Sequence, residues 1–266
     1  QIPARTARRV RSILVGVRER LELGVDHTIV ALAGGTGSGK SSVFNALSGF
    51  EFADVGVRRP TTAEVTACVW AHDADLLLAW LGVARDRRIE RESALDGDSQ
   101  ADLRGLVLLD LPDHDSTEVS HHLEVERLVK LADMMVWVLD PQKYADAAIH
   151  DRFLKPLSSH RDVMLVVLNH IDTVPEDRRA GMLDDVRRLL AADGLDSVPV
   201  MGISARHGIG IADLRAHIAR RTAAKRATRS RLSADVRSVA ASLQEASGSA
   251  AAPVLSKERV VGLNDS

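Results

Sequence analysis

The sequence predicts an α/β protein: a three-layer sandwich with a mostly parallel, six-stranded sheet, helices on both faces, and further helices flanking it at the N- and C-terminal ends. Two observations lead there. Six short apolar runs, HTIVALAG, EVTACVWA, RGLVLLDLP, DMMVWVLD, DVMLVVLNH and SVPVMGIS, alternate with amphipathic segments, the pattern of parallel strands buried between helical layers. The first run also passes through a glycine-rich turn into an apolar-periodic segment, ALAGGTGSGKSSVFNALSG from Ala31 to Gly49, which reads as strand, loop and helix.

Taken in order, residues 1–25 read as an amphipathic helix, with Val10, Leu14, Val17 and Leu21 at three- and four-residue spacing between arginines. Residues 26–219 hold the strand–helix alternation. An insert at about 72–104 separates its second and third strands, with a helix in ADLLLAWLG, a polar strand-like RRIERE and a loop around DGDSQ. Residues 220–247 read as a basic helix, continuous with or following the helix that begins near Ile211. Residues 248–266 read as a flexible tail or a linker.

With 266 residues and 45% hydrophobic content the chain is long enough for one large core with appendages. The formal net charge of −2 conceals local basic clusters near both ends of the strand–helix region. The single cysteine, Cys68, excludes an internal disulfide and a cysteine-built metal cluster, and suits a reduced, cytoplasmic setting. No run has the length of a membrane span, and no signal peptide stands out. The start at Gln1 and the polar close are those expected of a piece of a longer protein, whose other regions would carry any membrane association.

Gly34, Gly39, Lys40 and Ser41 fit the phosphate-binding pattern GxxxxGK[ST], in the strand-to-helix setting the pattern needs. Each residue type has a physical reason. Glycines let successive backbone N–H groups turn toward an anion without a Cβ in the way, and the following helix aims its positive end at the same place. On this reading residues Gly35, Thr36, Gly37, Ser38, Gly39, Lys40, Ser41 and Ser42 bind nucleotide, Lys40 reaching the outer phosphates and Ser41 giving a hydroxyl to Mg²⁺.

Two further motifs bear on the base. NHID, Asn169 to Asp172, closes the fifth apolar run, and SAR, Ser204, Ala205 and Arg206, closes the sixth. With them the chain resembles the P-loop GTPases of the Era-like and dynamin-like group, whose base-recognition motifs are [NT]KxD and SA[KR], and in particular a poorly characterised bacterial Era-like subgroup. The resemblance covers about Thr28 to Ile218 and implies a G domain that binds GTP and GDP, Mg²⁺ as cofactor, and hydrolysis of GTP as a molecular switch. A carboxylate at Asp172 would accept hydrogen bonds from the ring N–H and amine of guanine, which adenine does not offer. His170 departs from the usual lysine, whose stem packs over the base and whose amine braces the P-loop.

The same resemblance assigns the switch residues. Thr62 in VRRPTTAEV, with Thr61 as the alternative, would ligate Mg²⁺ and sense the γ-phosphate, and Asp110 in LLDLPDHDS would hold the metal through water. The metal set is therefore Ser41, Thr62 and Asp110. Asp113 replaces the glycine of the family's DxPG motif. His114 falls where some relatives place the residue that positions the attacking water, and reads either as that residue or as a switch-loop histidine without a chemical task. His114, Lys40 and Thr62 form the catalytic set.

DPQKYAD, Asp140 to Asp146, follows the fourth apolar run on the nucleotide side and reads as a contact to the switches or as a turn capped by Asp146. The run Arg220 to Arg231 is basic without aromatics, which suits RNA, ribosome or anionic-membrane phosphates, or a solvated face. No DNA sequence recognition is expected. Three functions remain at this point: a GTP-hydrolysing switch, slow without a partner or self-association through the nucleotide face; a guanine-nucleotide-binding assembly or membrane module with very low turnover; and an ATP-dependent enzyme, which Asp172 opposes.

Overall fold

A computed structural model describes residues 27–49, 64–71, 73–91, 100–112 and 132–247, with side chains to residue 239. The segments read above as the N-terminal helix and the tail, and the positions Thr61, Thr62, Asp113 and His114, lie outside the described residues. By its contacts the chain divides into two compact units, Gln1–Arg226 and Ala227–Ser266.

The first unit is organised by a seven-stranded sheet. Its strands are β1 (Thr28–Ala33), β2 (Thr66–Val69), β3 (Arg88–Glu90), β4 (Leu106–Asp110), β5 (Met134–Leu139), β6 (Met164–Leu168) and β7 (Val200–Gly202). They lie in the order β3-β2-β4-β1-β5-β6-β7. All neighbours are parallel except β2 and β4, which run antiparallel with Cys68 opposite Leu108. The expectation of six strands is corrected to seven. The extra one is the polar RRIERE stretch, whose Arg88–Glu90 pairs with the outer side of β2 and forms the sheet edge. Charged residues with both faces partly in solvent suit an edge, and this is why the stretch lacks the apolar signature of the other six.

Every residue of β1, β4, β5 and β6 is buried, as strands covered on both faces must be. Alternate residues supply two cores. Val30, Leu32, Leu108, Val136 and Val167 face the helix α1 (Lys40–Ser48), through Val43, Phe44 and Leu47, and the start of the long helix α5 (Ile211–Ser247), through Leu214 and Ile218. Ala31, Leu109, Trp137, Val166 and Leu168 face the other way, toward Leu77 and Leu78 of α2 (Asp75–Trp80) and Val186 and Leu190 of α4 (Glu176–Ala192). The same side is covered by α3 (Ala147–Ile149), continued by a π-helical turn (His150–Leu154) and a 3-10 stretch (Lys155–Val163). Cys68 is buried in β2, and burial pushes its thiol up to about 12, so it has no thiolate chemistry at neutral pH.

Helix α5 runs Ile211–Ser247. In the first unit it is fixed at the end of the sheet away from the glycine-rich loop. Lys225 donates to Asp133 Oδ2 at 2.7 Å and to the carbonyl of His27 at 2.6 Å, and Asp133 Oδ2 also accepts from the Ile29 amide at 2.9 Å. The second unit, described over 227–247, is helical, with Leu232, Val236 and Val239 exposed. Among the described residues no helix is long and apolar enough to cross a membrane.

Candidate nucleotide site

The loop between β1 and α1 is shaped by two glycines that no other residue could replace without displacement. Gly39 caps α1 with φ 83°, and a Cβ there would stand 2.3 Å from Asn169 Nδ2 and 3.0 Å from His170 Nε2. At Gly34 a Cβ would meet the Val138 carbonyl oxygen at 2.4 Å. The loop is thus packed directly against β5 and the segment after β6, with no room for side chains between. Lys40 and Ser38 are buried, Gly35 and Ser41 half-buried, and Thr36, Gly37 and Ser42 exposed.

Asn169, fully buried at the end of β6, is not a turn cap. Its Nδ2 donates to the Ser38 carbonyl at 2.9 Å, and its Oδ1 accepts from the Ala205 amide at 3.1 Å. One side chain therefore joins the glycine-rich loop, the NHID segment and the SAR segment. Ser204 closes the third side: its amide donates to Ile209 at 2.9 Å and its hydroxyl accepts from the His207 amide at 3.2 Å.

Asp172 sits in a short 3-10 turn (Ile171–Thr173) between these segments. A hydrogen bond from the Ser204 hydroxyl holds its carboxyl below the usual carboxylate range, so it is ionised at neutral pH. His207 Nε2 lies 3.6 Å from Oδ2, while Oδ1 is buried without a hydrogen-bond partner. A buried acceptor left over in this way is open to a donor from water or from a ligand. Arg206 is exposed.

His170 adopts the left-handed conformation, φ 57°, uncommon for a residue with a side chain. Its Nδ1 pairs with Asp140 Oδ2 at 2.8 Å. Asp140 begins the DPQKYAD turn, where Asp146 does cap the following helix, accepting from the Ala148 amide at 2.9 Å. The turn also touches the glycine-rich loop, through Lys143 Nζ and the Thr36 carbonyl at 3.4 Å. The sequence marks this turn by its position but not the two residues, Asp140 and Lys143, that meet the loop and the segment after β6.

At the opposite end of the loop, Ser41 Oγ donates to Asp110 Oδ2 at 2.8 Å, bringing the start of α1 to the end of β4. A hydroxyl and a carboxylate side by side next to a phosphate loop are the hard oxygen donors Mg²⁺ takes, with phosphate and water completing its shell. Among the described residues no group of three or more His, Cys, Asp or Glu side chains is arranged to hold a metal.

Residues 29–170 match the model of the family described as 50S ribosome-binding GTPase. The chain belongs to this GTPase family. No curated protein matches its sequence. Among solved structures, a bacterial dynamin from a membrane-tethering pair aligns with a TM-score of 0.51 at 14% identity, over 96% of this chain and 46% of that one. An Era variant from Aquifex aeolicus with GDP and AlF4− aligns with a TM-score of 0.47 at 20% identity, over 74% of this chain and 57% of its own. The elongation factor SelB from Methanococcus maripaludis, holding a GTP analogue, aligns with a TM-score of 0.45 at 12% identity, over 74% of this chain and 34% of its own. This GTPase therefore spans between 34% and 57% of the length of these structures. At such identities the dynamin alignment shows the fold, a P-loop GTPase α/β sandwich.

Proposed function

We propose that the chain binds GTP with Mg²⁺ and hydrolyses it to GDP and phosphate, as an Era-like molecular switch. The observation that carries this is the arrangement of Asn169 and Asp172 in one segment. Asn169 ties the phosphate loop to both base-side segments, and the ionised Asp172 keeps one buried oxygen without a partner beside them. That oxygen can accept from the N–H groups of guanine; adenine would leave it unsatisfied, at a cost of about 1–3 kcal/mol or more.

The residues divide the work as follows. Backbone amides of the loop and the N-terminus of α1 cradle the phosphates, with Lys40 against the outer ones. Ser41 and Asp110 would hold Mg²⁺, which neutralises charge on the β- and γ-phosphate oxygens. Thr62 would complete that shell and report the γ-phosphate. His114 would orient a water whose oxygen bonds to the γ-phosphorus as the bond to the bridging oxygen breaks, leaving GDP and phosphate. Arg226, Arg229 and Arg231 are exposed, which supports contact with a phosphate-bearing surface.

Single-turnover GTP hydrolysis with Mg²⁺ tests the reading, with Lys40→Ala and His114→Ala beside the wild type. Conversion to GDP, slowed at least about tenfold in a His114→Ala chain that still binds, is the expected result. GTP bound but retained intact by the wild type would contradict self-sufficient hydrolysis.

A further inference from the structure

Peptide planarity makes the outward carbonyls of a phosphate loop informative. In a trans peptide the C=O and the next residue's N–H point in opposite directions, so a hold on the carbonyl aims the following amide. Two carbonyls of this loop are held from outside. Asn169 donates to the Ser38 carbonyl, which aims the Gly39 amide the other way, and Lys143 donates to the Thr36 carbonyl at 3.4 Å, which does the same for the Gly37 amide.

Both holds come from segments that are themselves joined. The turn that carries Lys143 begins at Asp140, whose Oδ1 accepts from the Gln142 amide at 2.7 Å and whose Oδ2 takes His170 Nδ1 at 2.8 Å. His170 in turn presents Nε2 to Gly39, 3.0 Å from where a Cβ would stand. The turn after β5 thus meets the loop at two points, directly at Thr36 and through the imidazole at Gly39. His170 is occupied by Asp140 and has no ammonium to offer the loop; the ammonium on a loop carbonyl is Lys143's.

We propose that Lys143 is a positioning residue of the nucleotide site: its ammonium fixes the Thr36–Gly37 peptide so that the Gly37 amide is ready for phosphate, with Asp140 and His170 forming the second point of the same brace. This rests on the guanine-nucleotide reading above. It differs from it in that the ordering of the loop precedes any ligand. Lys143 is exposed, so removing it tests the brace and not the fold.

The test is backbone ¹⁵N relaxation of the nucleotide-free chain, followed by the dissociation rate of fluorescent GDP, for wild type, Lys143→Ala, Lys143→Arg and Asp140→Ala. In Lys143→Ala the order parameter of the Gly37 amide is expected to fall from the rigid-backbone range of about 0.85 to the flexible range below about 0.6, the Gly39 amide to stay near wild type, and GDP to leave about tenfold faster. Lys143→Arg restores most of both, Asp140→Ala loosens Gly39, and the thermal midpoint of the nucleotide-free Lys143→Ala chain stays within about 2 °C, since a surface side chain contributes little to global stability. An unchanged Gly37 order parameter in Lys143→Ala overturns the proposal. A wild type that binds no guanine nucleotide overturns the functional reading instead, and the relaxation arm still decides the brace.

Discussion

Asn169 Nδ2 donates to the Ser38 carbonyl across 131 residues of sequence at 2.9 Å, and both groups are buried. The bond joins the glycine-rich loop directly to the segment after β6. Asn169→Ala removes this bond and the one to Ala205, leaving the Ser38 carbonyl and the Ala205 amide without that partner. A stability loss of about 1–3 kcal/mol is expected in chemical denaturation, with GDP affinity falling at least about tenfold.

Gly39 and Gly37 share a φ of 83° and 82° but differ in surroundings. At Gly39 a Cβ would enter the Asn169 amide, whereas at Gly37 nothing lies within 4 Å. Gly37→Ala should therefore cost only the left-handed backbone penalty, about 1–2 kcal/mol. Gly39→Ala adds a steric displacement of the base-side segment and should lower both the denaturation midpoint and nucleotide affinity well beyond that. Paired denaturation and GDP titrations of the two variants check the contrast.

These comparisons show what the sequence carries. Gly34, Gly39 and Lys40 announce their loop because a phosphate cradle admits few other residues, and the six apolar runs announce strands because burial on both faces excludes charge. Strand β3 is legible as a strand-like stretch but not as a member of the sheet, because an edge is satisfied by the polar Arg88 and Glu90. The links Asp140–His170, Lys143–Thr36 and Lys225–Asp133 escaped for a different reason: each joins single polar groups far apart in sequence, two of them side chain to side chain and one an ammonium to a backbone carbonyl, and no spacing rule connects them. The tyrosine-bearing turn did stand out, but its local role as a helix cap and its distant role at the loop are compatible, and only the three-dimensional arrangement shows both.

Asp172 provides a pH prediction. Its folded pKa is lowered, so the stability it contributes is present above the ordinary carboxylate value of about 3.9 and is lost as pH falls through the lower folded value. On this group's account GDP affinity stays flat from about pH 7 to pH 5. Ser204→Ala removes the donor that lowers it, and a carbon-detected NMR titration should then show the Asp172 carboxyl moving up toward its ordinary value.

Lys225 tests how the start of α5 is held. Lys225→Met keeps the apolar stem and removes the ammonium from Asp133 and from the His27 carbonyl, both of which lie at the end of the sheet remote from the nucleotide loop. A loss of about 1–3 kcal/mol in denaturation is expected, with GDP affinity at wild-type level.

The measurement that bears most directly on the whole account is base selectivity by calorimetry: GDP, ADP and xanthosine diphosphate against the wild type and Asp172→Asn, with Mg²⁺ present. The account predicts that the wild type binds GDP at least about a hundredfold tighter than ADP, and that Asp172→Asn loses GDP while gaining xanthosine diphosphate. Equal binding of GDP and ADP by the wild type, or an Asp172→Asn variant with unchanged preference, would contradict it.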